Sequence, residues 1–210
     1  MAGVLLVEKY RNNFGRIDYA VILFYNIYKD TYEDPGGHLT ERKTIQESAA
    51  KELIEESCNL FRINPLYLTN HIYYNGYYSF LLYVQGPTDL YGGNPIYSEY
   101  YHHNRNFIHY QNAPAEYKET DNMRRFYISD LINCGLLFNK GELICTDANG
   151  HIRRISGRTK GILRSFIAHG YIGIINNRIA INFPPLTLGF NPNYQSYKKP
   201  FLNGTRSYFI

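Results

Sequence analysis

Residues 36–57 read GGHLTERKTIQESAAKELIEES, and this stretch places a glycine turn directly before the strongest helix signal in the chain. Thr44 can act as the N-cap residue, and Glu47 follows three residues later, which is the spacing of a capping box. Residues that favour helix then continue as far as Ser57. The sequence therefore predicts a turn at Gly36–Gly37 and a helix from Thr44 to Ser57.

Three glutamates share one face of this predicted helix. Glu52, Glu55 and Glu56 stand at positions i, i+3 and i+4, so they fall within an arc of about 100°. Like charges this close repel each other unless cations neutralise them. Mg²⁺ binds proteins through a few carboxylates together with the phosphates of a substrate. The three glutamates alone leave two readings open, a metal site in a cleft and a solvated acidic face.

The glycine turn and the helix together resemble the Nudix box. That pattern is Gly, five residues, Glu, seven residues, and then Arg-Glu-aliphatic-any-Glu-Glu-any-Gly. Gly37 takes the first position, and Glu52, Leu53, Glu55 and Glu56 match in register. The resemblance implies an α+β fold, an α/β/α sandwich around a mixed β-sheet. It also implies an enzyme that uses Mg²⁺ or Mn²⁺ to direct water at a pyrophosphate link.

Three positions depart from the family pattern. Lys43 stands in place of the first glutamate, Lys51 in place of the arginine, and Cys58 in place of the last glycine. Lys51 keeps the positive charge but lacks the guanidinium fork. Glu41 and Glu47 are the acids near enough in sequence to replace the missing carboxylate, and we expect Cys58 to change how the helix ends. These departures support an alternative, a Nudix-fold protein that binds nucleotides or RNA with weakened or no catalysis.

The resemblance also implies roles for individual residues. The implied metal ligands are Glu52, Glu55, Glu56 and the carbonyl of Gly37. Family members place the general base either within the box or on a distant loop. The within-box candidate is Glu56, and the loop candidates are Glu119, Glu116 and the more remote Glu99. Glu55 and Lys51 complete the expected catalytic set.

Substrate contacts are expected from basic and aromatic residues outside the box. Positive charge that can bind phosphate or RNA is supplied by Arg124–Arg125 and Arg153–Arg154. The alternative is that these arginines are ordinary surface residues near turns. Tyr74 is the candidate for stacking on a base, because the tyrosines around Asn75–Gly76 alternate between core and surface. His102–His103 is a weaker candidate for phosphate or metal contact.

Hydrophobic patterning and turn residues organise the rest of the chain. Strands are predicted at 3–10 and 18–26 as an antiparallel pair, at 66–75 and 77–85 as a hairpin, from 125 into a short helix by 131, at 142–145 and 151–155, and as a hairpin within 172–181. A further helix is predicted at 159–168. We expect residues 86–118 to form a long loop that acts as an insertion or lid, within a hydrolase domain of residues 1–170. Residues 171–210 are expected to pack on that domain as a C-terminal extension, with an irregular tail after Pro184.

Composition and net charge limit the classes of function that remain open. The chain has 210 residues, a net charge of +4, 22 tyrosines and no tryptophan. That charge suits a polyanionic ligand but is small for a dedicated nucleic-acid-binding protein. The three cysteines show no metal spacing, and the short apolar run at the N-terminus predicts neither a signal peptide nor a membrane span. We therefore expect a cytoplasmic protein, in the host cytoplasm if the chain is viral, because this composition is similar to that of large DNA viruses of protists.

Several partners stay open at this stage. The expected substrate is a nucleotide-like pyrophosphate, which includes small nucleotides, nucleotide sugars, diphosphoinositol phosphates and the cap of messenger RNA. A homodimer is also compatible with the resemblance, and no membrane partner is expected. A third class, an interaction protein that uses the Tyr-rich segment around residues 100–103, predicts no binding of divalent ions.

Overall fold

The computed structural model describes residues 1–12, 14–84, 96–110, 114–138, 141–176, 178–185 and 189–190. Its strands are β1 Ala2–Arg11, β2 Ile17–Asn26, β3 Thr31–Glu33, β4 Gly36–Gly37, β5 Phe61–Arg62, β6 His71–Tyr74, β7 Tyr77–Val84, β8 Thr120–Tyr127, β9 Leu143–Thr146, β10 Ile152–Ile155, β11 Ile172–Ile175, β12 Arg178–Ile181 and β13 Gly189–Phe190. Its α-helices are α1 Ile45–Glu56, α2 Ile96–Tyr110, α3 Ile128–Asn133 and α4 Gly157–Ala168, with short 3₁₀ helices at Pro65–Tyr67 and Ala115–Lys118. No helix in these ranges is long and apolar enough to span a membrane.

A nine-stranded mixed sheet forms the centre of the described fold. Its order is β6-β7-β1-β2-β3-β10-β9, with β4 paired to β1 and β8 paired to β2. β1 runs parallel to β7, and β3 runs parallel to β10, whereas β1 and β2 are antiparallel. The mixed sheet and the antiparallel pair at the start of the chain are therefore confirmed.

Helices cover both faces of this sheet. Successive side chains of a strand point to opposite faces, so neighbouring residues of β1 pack against different helices. Leu6 of β1 shares one buried cluster with Leu53 of α1 and Tyr101 of α2. The next residue, Val7, belongs to a second buried cluster with Leu163 of α4. The fold is thus a sandwich with α1 and α2 on one side and α3 and α4 on the other, as the resemblance implied.

Helix α1 begins as predicted and ends in a way that was not predicted. The Thr44 hydroxyl accepts the Glu47 N–H, and the Glu47 carboxylate accepts the Thr44 N–H, so the capping box is complete. At the other end Cys58 and Asn59 adopt φ values of +50° and +60°. Their N–H groups return to carbonyls in the last turn of the helix, which is a Schellman ending. The expectation that Cys58 would change how the helix ends was wrong, because Cys58 takes the left-handed conformation that glycine would otherwise supply.

Most local turn signals are confirmed. Asn75 and Gly76 adopt positive φ values between β6 and β7, and Gly150 does so between β9 and β10. Gly170, also at positive φ, follows the end of α4. One boundary was wrong, since residues expected to open the strand before Asn75 form the 3₁₀ helix that Pro65 starts.

The segment 86–118 differs from the expected long loop. Residues 96–110 form helix α2, and the buried side chains of Tyr101 and Ile108 attach it to the α1 face of the sheet. Residues 115–118 form a 3₁₀ helix. Residues 86–95 and 111–113 lie outside the described part of the chain. The loop prediction failed because Tyr, His and Asn obscure the apolar face of α2.

Residues beyond 170 contribute to the same core. Strands β11 and β12 form the predicted hairpin, and Ile172 and Ile179 are buried in the α4 side of the sandwich. Gly189–Phe190 pairs with Phe61–Arg62. The rest of the predicted irregular tail lies outside the described residues, and the boundary at residue 170 stays a prediction.

Candidate active site

A cleft of about 310 Å³ lies where α1 meets the glycine turn and the 3₁₀ helix before β8. Five glutamates line it, together with one lysine and the residues that follow the turn. The lining residues are Gly36, Gly37, His38, Leu39, Thr40, Lys51, Glu52, Glu55, Glu56, Glu116 and Glu119. Three glutamates come from α1 and two from the opposite wall. The acidic face of α1 therefore borders a cleft and not bulk solvent.

The glycine turn lies directly against the glutamates of α1. The Gly36 N–H donates a hydrogen bond to Glu56 Oε1 at 3.1 Å. The Glu52 carboxylate rests against Gly37, where an added Cβ would lie 2.7 Å from Oε2. Glycine at position 37 therefore leaves room for this carboxylate. Lys51 Nζ lies 2.7 Å from Glu55 Oε2, so Lys51 forms an ion pair with one of the three glutamates of α1.

The crowded carboxylates have raised pKa values. Burial raises the pKa of Glu52 to about 7, and the charge of Glu55 adds to the shift. Burial also raises the pKa of Glu56 well above its usual value, against the opposing effects of the Gly36 N–H and Arg158. Burial raises the pKa of Glu55 despite its bond to Lys51. Ionising all three costs free energy unless a cation compensates them.

The chemistry of the donor atoms, though not their spacing, suits a hard divalent cation. In the described part of the chain, no three His, Cys, Asp or Glu side chains are arranged closely enough to hold a metal ion by themselves. The cleft instead offers separate carboxylates and a nearby glycine carbonyl. Oxygen donors of this kind suit Mg²⁺ or Mn²⁺, which also take ligands from water and substrate phosphates.

The opposite wall is fastened to the end of α1. The Tyr101 hydroxyl of α2 donates to Thr120 Oγ1 at 3.0 Å, and Thr120 Oγ1 donates to the Glu56 carbonyl at 2.7 Å. The buried Cys58 thiol faces the Tyr117 carbonyl at 3.8 Å. These contacts keep the segment that carries Glu116 and Glu119 beside α1.

A buried network that sequence reasoning missed supports the glycine turn from beneath. Asp34 is fully buried, and its two carboxylate oxygens accept bonds from Tyr77 at 2.9 Å and Thr159 at 2.6 Å. Arg158 donates to the Asp34 carbonyl at 2.8 Å and to the Gly36 carbonyl at 3.4 Å. Thus the first turn of α4 positions the loop that contacts Glu56. Asp34 and Thr159 stand 125 residues apart, and no local pattern links them.

The predicted substrate-contacting residues do not line this cleft. Arg125 is buried in an ion pair with Glu8. Arg124 lies 3.6 Å from Asp147 in another part of the fold. The half-buried ring of Tyr74 packs against Gly161 of α4.

The remaining candidates also lie elsewhere. His102 and His103 are on α2, and the side chain of Glu99 is outside the described part of that helix. Glu47 serves the capping box, and Glu41 is exposed and does not border the cleft. The acids that add charge near the box are instead Glu116 and Glu119, which proximity in sequence to Lys43 could not reveal.

A second depression of about 520 Å³ lies on the β11–β12 hairpin. Its lining residues are Ile175, Asn176, Arg178, Ile179 and Ala180. This set contains no carboxylate, thiol or imidazole, so the smaller glutamate-lined cleft is the better candidate for catalysis.

Comparison with known proteins gives limited information. No protein-family model matches the chain, and no curated protein matches it. One solved structure, a binary complex of a C. elegans Ap4A hydrolase, is similar with 18% sequence identity and a TM-score of 0.29. The match covers 41% of this chain and 66% of that chain, slightly less than two thirds of its length. A likeness of this size carries no argument about the fold or the reaction.

Proposed function

We propose that this protein is a Nudix-type hydrolase that depends on Mg²⁺ or Mn²⁺ and cleaves a pyrophosphate bond in a nucleoside diphosphate linked to another group. The observation that carries the proposal is the position of Glu52, Glu55 and Glu56 beside the glycine turn, opposite Glu116 and Glu119 in one cleft. The register of the box within residues 37–58 supports the same chemistry.

Glu52, Glu55 and Glu56 would hold the cation, with the Gly37 carbonyl as a further ligand. When bound, the cation supplies charge compensation for the phosphate oxygens and lowers the pKa of a bound water. The Gly36 N–H orients Glu56, and Lys51 favours the ionised form of Glu55. Both contacts favour the ionised carboxylates and so oppose the burial that raises their pKa values.

Glu119 is the general base that we propose. The carboxylates of Glu55 and Glu56 are already engaged by Lys51 and Gly36, whereas Glu119 faces the cleft from the opposite wall. It would take a proton from the attacking water as the water oxygen bonds to phosphorus and the bridging oxygen leaves with its electron pair. Glu116 is the neighbouring alternative.

The test is a substrate panel with Mg²⁺ and with Mn²⁺, followed by identification of both products. The panel includes nucleoside triphosphates, a nucleotide sugar, a dinucleoside polyphosphate, a diphosphoinositol phosphate and capped RNA. Reaction in ¹⁸O-labelled water then identifies the phosphorus that is attacked. No metal-dependent cleavage of any member would overturn the proposal.

Single substitutions locate the chemistry. Glu56→Gln should lower kcat by about 10²-fold or more, and Glu119→Gln should lower it more than Glu116→Gln does. Glu41→Gln is the matched control, because Glu41 is exposed and lies outside the cleft. If Glu56→Gln retained full metal-dependent activity, the cleft would not be the active site.

A second function is favoured by the bond between Lys51 and Glu55. A lysine at 2.7 Å competes with a cation for that carboxylate, and Lys43 adds no acid in its place. The resulting protein would bind nucleotides or RNA with little hydrolysis. Nucleotide binding measured by calorimetry, without product formation over hours in Mn²⁺, would identify this function.

A further inference from the structure

Two arginines from different strands converge on one buried carboxylate outside the glutamate cleft. Arg153 Nε lies 3.4 Å from Asp147 Oδ2, and Arg124 Nε lies 3.6 Å from the same oxygen. His151 Nδ1 is 3.5 Å from the other carboxylate oxygen. The side chain of Asp147 is fully buried, whereas those of Arg124 and Arg153 are 21% and 32% exposed. Asp147 therefore holds both guanidinium groups from below.

Each of these arginines belongs to a doublet of consecutive arginines, and the two members of each doublet have different partners in the fold. Arg125, next to Arg124, is buried against Glu8. Arg154, next to Arg153, pairs with Asp30 at 2.9 Å and with Glu142 at 2.7 Å. One member of each doublet is thus neutralised, and the other two are brought together.

The cluster keeps uncompensated charge and free donors. Two guanidinium groups share one carboxylate, and His151 adds positive charge when it is protonated. Among the residues that the structure describes, neither terminal nitrogen of Arg153 has a hydrogen-bond acceptor, and the buried Arg124 Nε has none either. Arg124 Nη1 donates to the Met123 carbonyl. A second anion would stabilise a cluster that has excess positive charge and free N–H donors.

Neighbouring groups do not remove this charge. Asp121, whose charge acts on the buried Tyr32 hydroxyl, is paired with Arg105. Both arginines also act on the Tyr32 hydroxyl: burial raises its pKa, and the charges of Arg153 and Arg124 oppose that rise. Both guanidinium groups therefore lie near the same phenol.

We propose that Arg124 and Arg153, seated on Asp147 and flanked by His151, form a binding site for a phosphate group. Arginine forks suit phosphate because parallel N–H groups meet two oxygens at once. Either a phosphodiester of an RNA chain or a free phosphate ion has this chemistry. The inference goes beyond the proposed hydrolysis and does not depend on it.

The first test measures binding of a fluorescein-labelled ten-nucleotide oligouridylate by anisotropy in EDTA, so that metal-dependent binding in the glutamate cleft does not contribute. Arg153→Gln and Arg124→Gln should each weaken binding about tenfold. Each should also reduce the slope of log K against log salt by about 0.7. The matched control is Arg154→Gln, whose arginine is already paired, and it should change binding less than twofold.

The second test titrates inorganic phosphate and follows the Tm. Phosphate should raise the Tm of the unaltered protein and of Arg154→Gln more than that of Arg153→Gln. An effect on RNA alone identifies a phosphodiester site, and an effect on both identifies a general phosphate site. If Arg153→Gln and Arg124→Lys leave both the RNA affinity and the phosphate response unchanged, the proposal is overturned. Arg124→Lys retains a charge against Asp147, which guards against a result that reflects misfolding.

Discussion

At the scale of single residues, three chemically identical side chains of α1 have three different surroundings. Glu56 is nearly buried and bonded to a backbone N–H, Glu55 is bonded to Lys51, and Glu52 lies against a glycine. Their effects on stability and on metal binding should therefore be separable by substitution.

The raised pKa of Glu52 predicts a pH dependence of stability in the metal-free protein. The pKa rises from 4.5 to about 7 on folding, so the folded state binds the extra proton between these values. Stability should fall as pH increases from about 4.5 to about 7, because the buried carboxylate is then forced to ionise. The Tm in EDTA, measured from pH 4.5 to 8, checks this expectation.

Two comparisons make the pH experiment specific. Glu52→Gln should make the decline shallower but leave the part due to Glu55 and Glu56, whose pKa values are also raised. Glu41→Gln should leave the decline unchanged. Adding Mg²⁺ at pH 8 should restore the lost Tm. A flat profile for the unaltered protein would show that Glu52 is ordinarily solvated.

The two glycines of the turn should respond differently to alanine. At Gly37 the three atoms nearest to an added Cβ belong to the end of the flexible Glu52 side chain, the closest at 2.7 Å. At Gly36 it meets the Tyr77 hydroxyl at 1.7 Å and the Ala2 carbonyl at 2.9 Å. Gly37→Ala should therefore fold but bind Mn²⁺ at least tenfold more weakly, and Gly36→Ala should lose several kcal/mol of stability. Calorimetry and urea denaturation measure the two effects, and equal behaviour of both variants would contradict this assignment.

At the scale of elements, the first turn of α4 holds the glycine turn through Asp34. Tyr77 of β7 completes this support from the neighbouring strand. The glycine turn is therefore fixed by residues distant in sequence, and its own residues provide little of the rigidity.

Tyr77→Phe tests that support. The substitution removes the hydroxyl that donates to the buried Asp34 carboxylate and should lower the free energy of unfolding by about 1–3 kcal/mol. Tyr73→Phe is the control, because Tyr73 is 62% exposed and should change stability by less than about 0.5 kcal/mol. Urea denaturation of the two variants gives the comparison. A loss of equal size in both would show that the Asp34 bond contributes nothing specific.

Elements with local signals were the ones that the sequence could predict. Thr44 and Glu47 are close enough to define the start of α1, and Asn75–Gly76 defines its hairpin by backbone conformation alone. Helix α2 lacks such signals, since polar aromatic residues obscure its buried side. The bond between Asp34 and Thr159 exists only after the chain has folded.

The arginine doublets show which part of this cluster could be predicted from sequence and which part could not. Arg124 and Arg125 lie on strand β8, and neighbouring residues of a strand face opposite sides of the sheet. The pattern could therefore have predicted that the two would act separately. It could not have predicted that Arg124 and Arg153 would share Asp147, because that arrangement depends on how the β9–β10 hairpin is placed.

At the scale of the whole molecule, both sides of the sandwich draw on residues from distant parts of the chain. Ile172 and Ile179 extend the α4 side beyond the predicted boundary at residue 170. Residues 171–185 should therefore unfold together with the rest of the core.

Substitution in the β11–β12 hairpin checks this shared core. Ile172→Ala should lower the free energy of unfolding by about 2–5 kcal/mol, because the side chain is fully buried. Ile175→Ala should have an effect below about 0.5 kcal/mol, since Ile175 is 62% exposed. Chemical denaturation of both variants should give one transition. Two separate transitions would show that the hairpin folds independently.

The chain of hydroxyls from Tyr101 through Thr120 to the Glu56 carbonyl has a mechanical consequence. It joins α2 to the end of the helix that carries the cleft glutamates, so α2 cannot swing outward without pulling on that helix or losing two buried bonds. Helix α2 therefore acts as a brace for the glutamate-bearing end of α1.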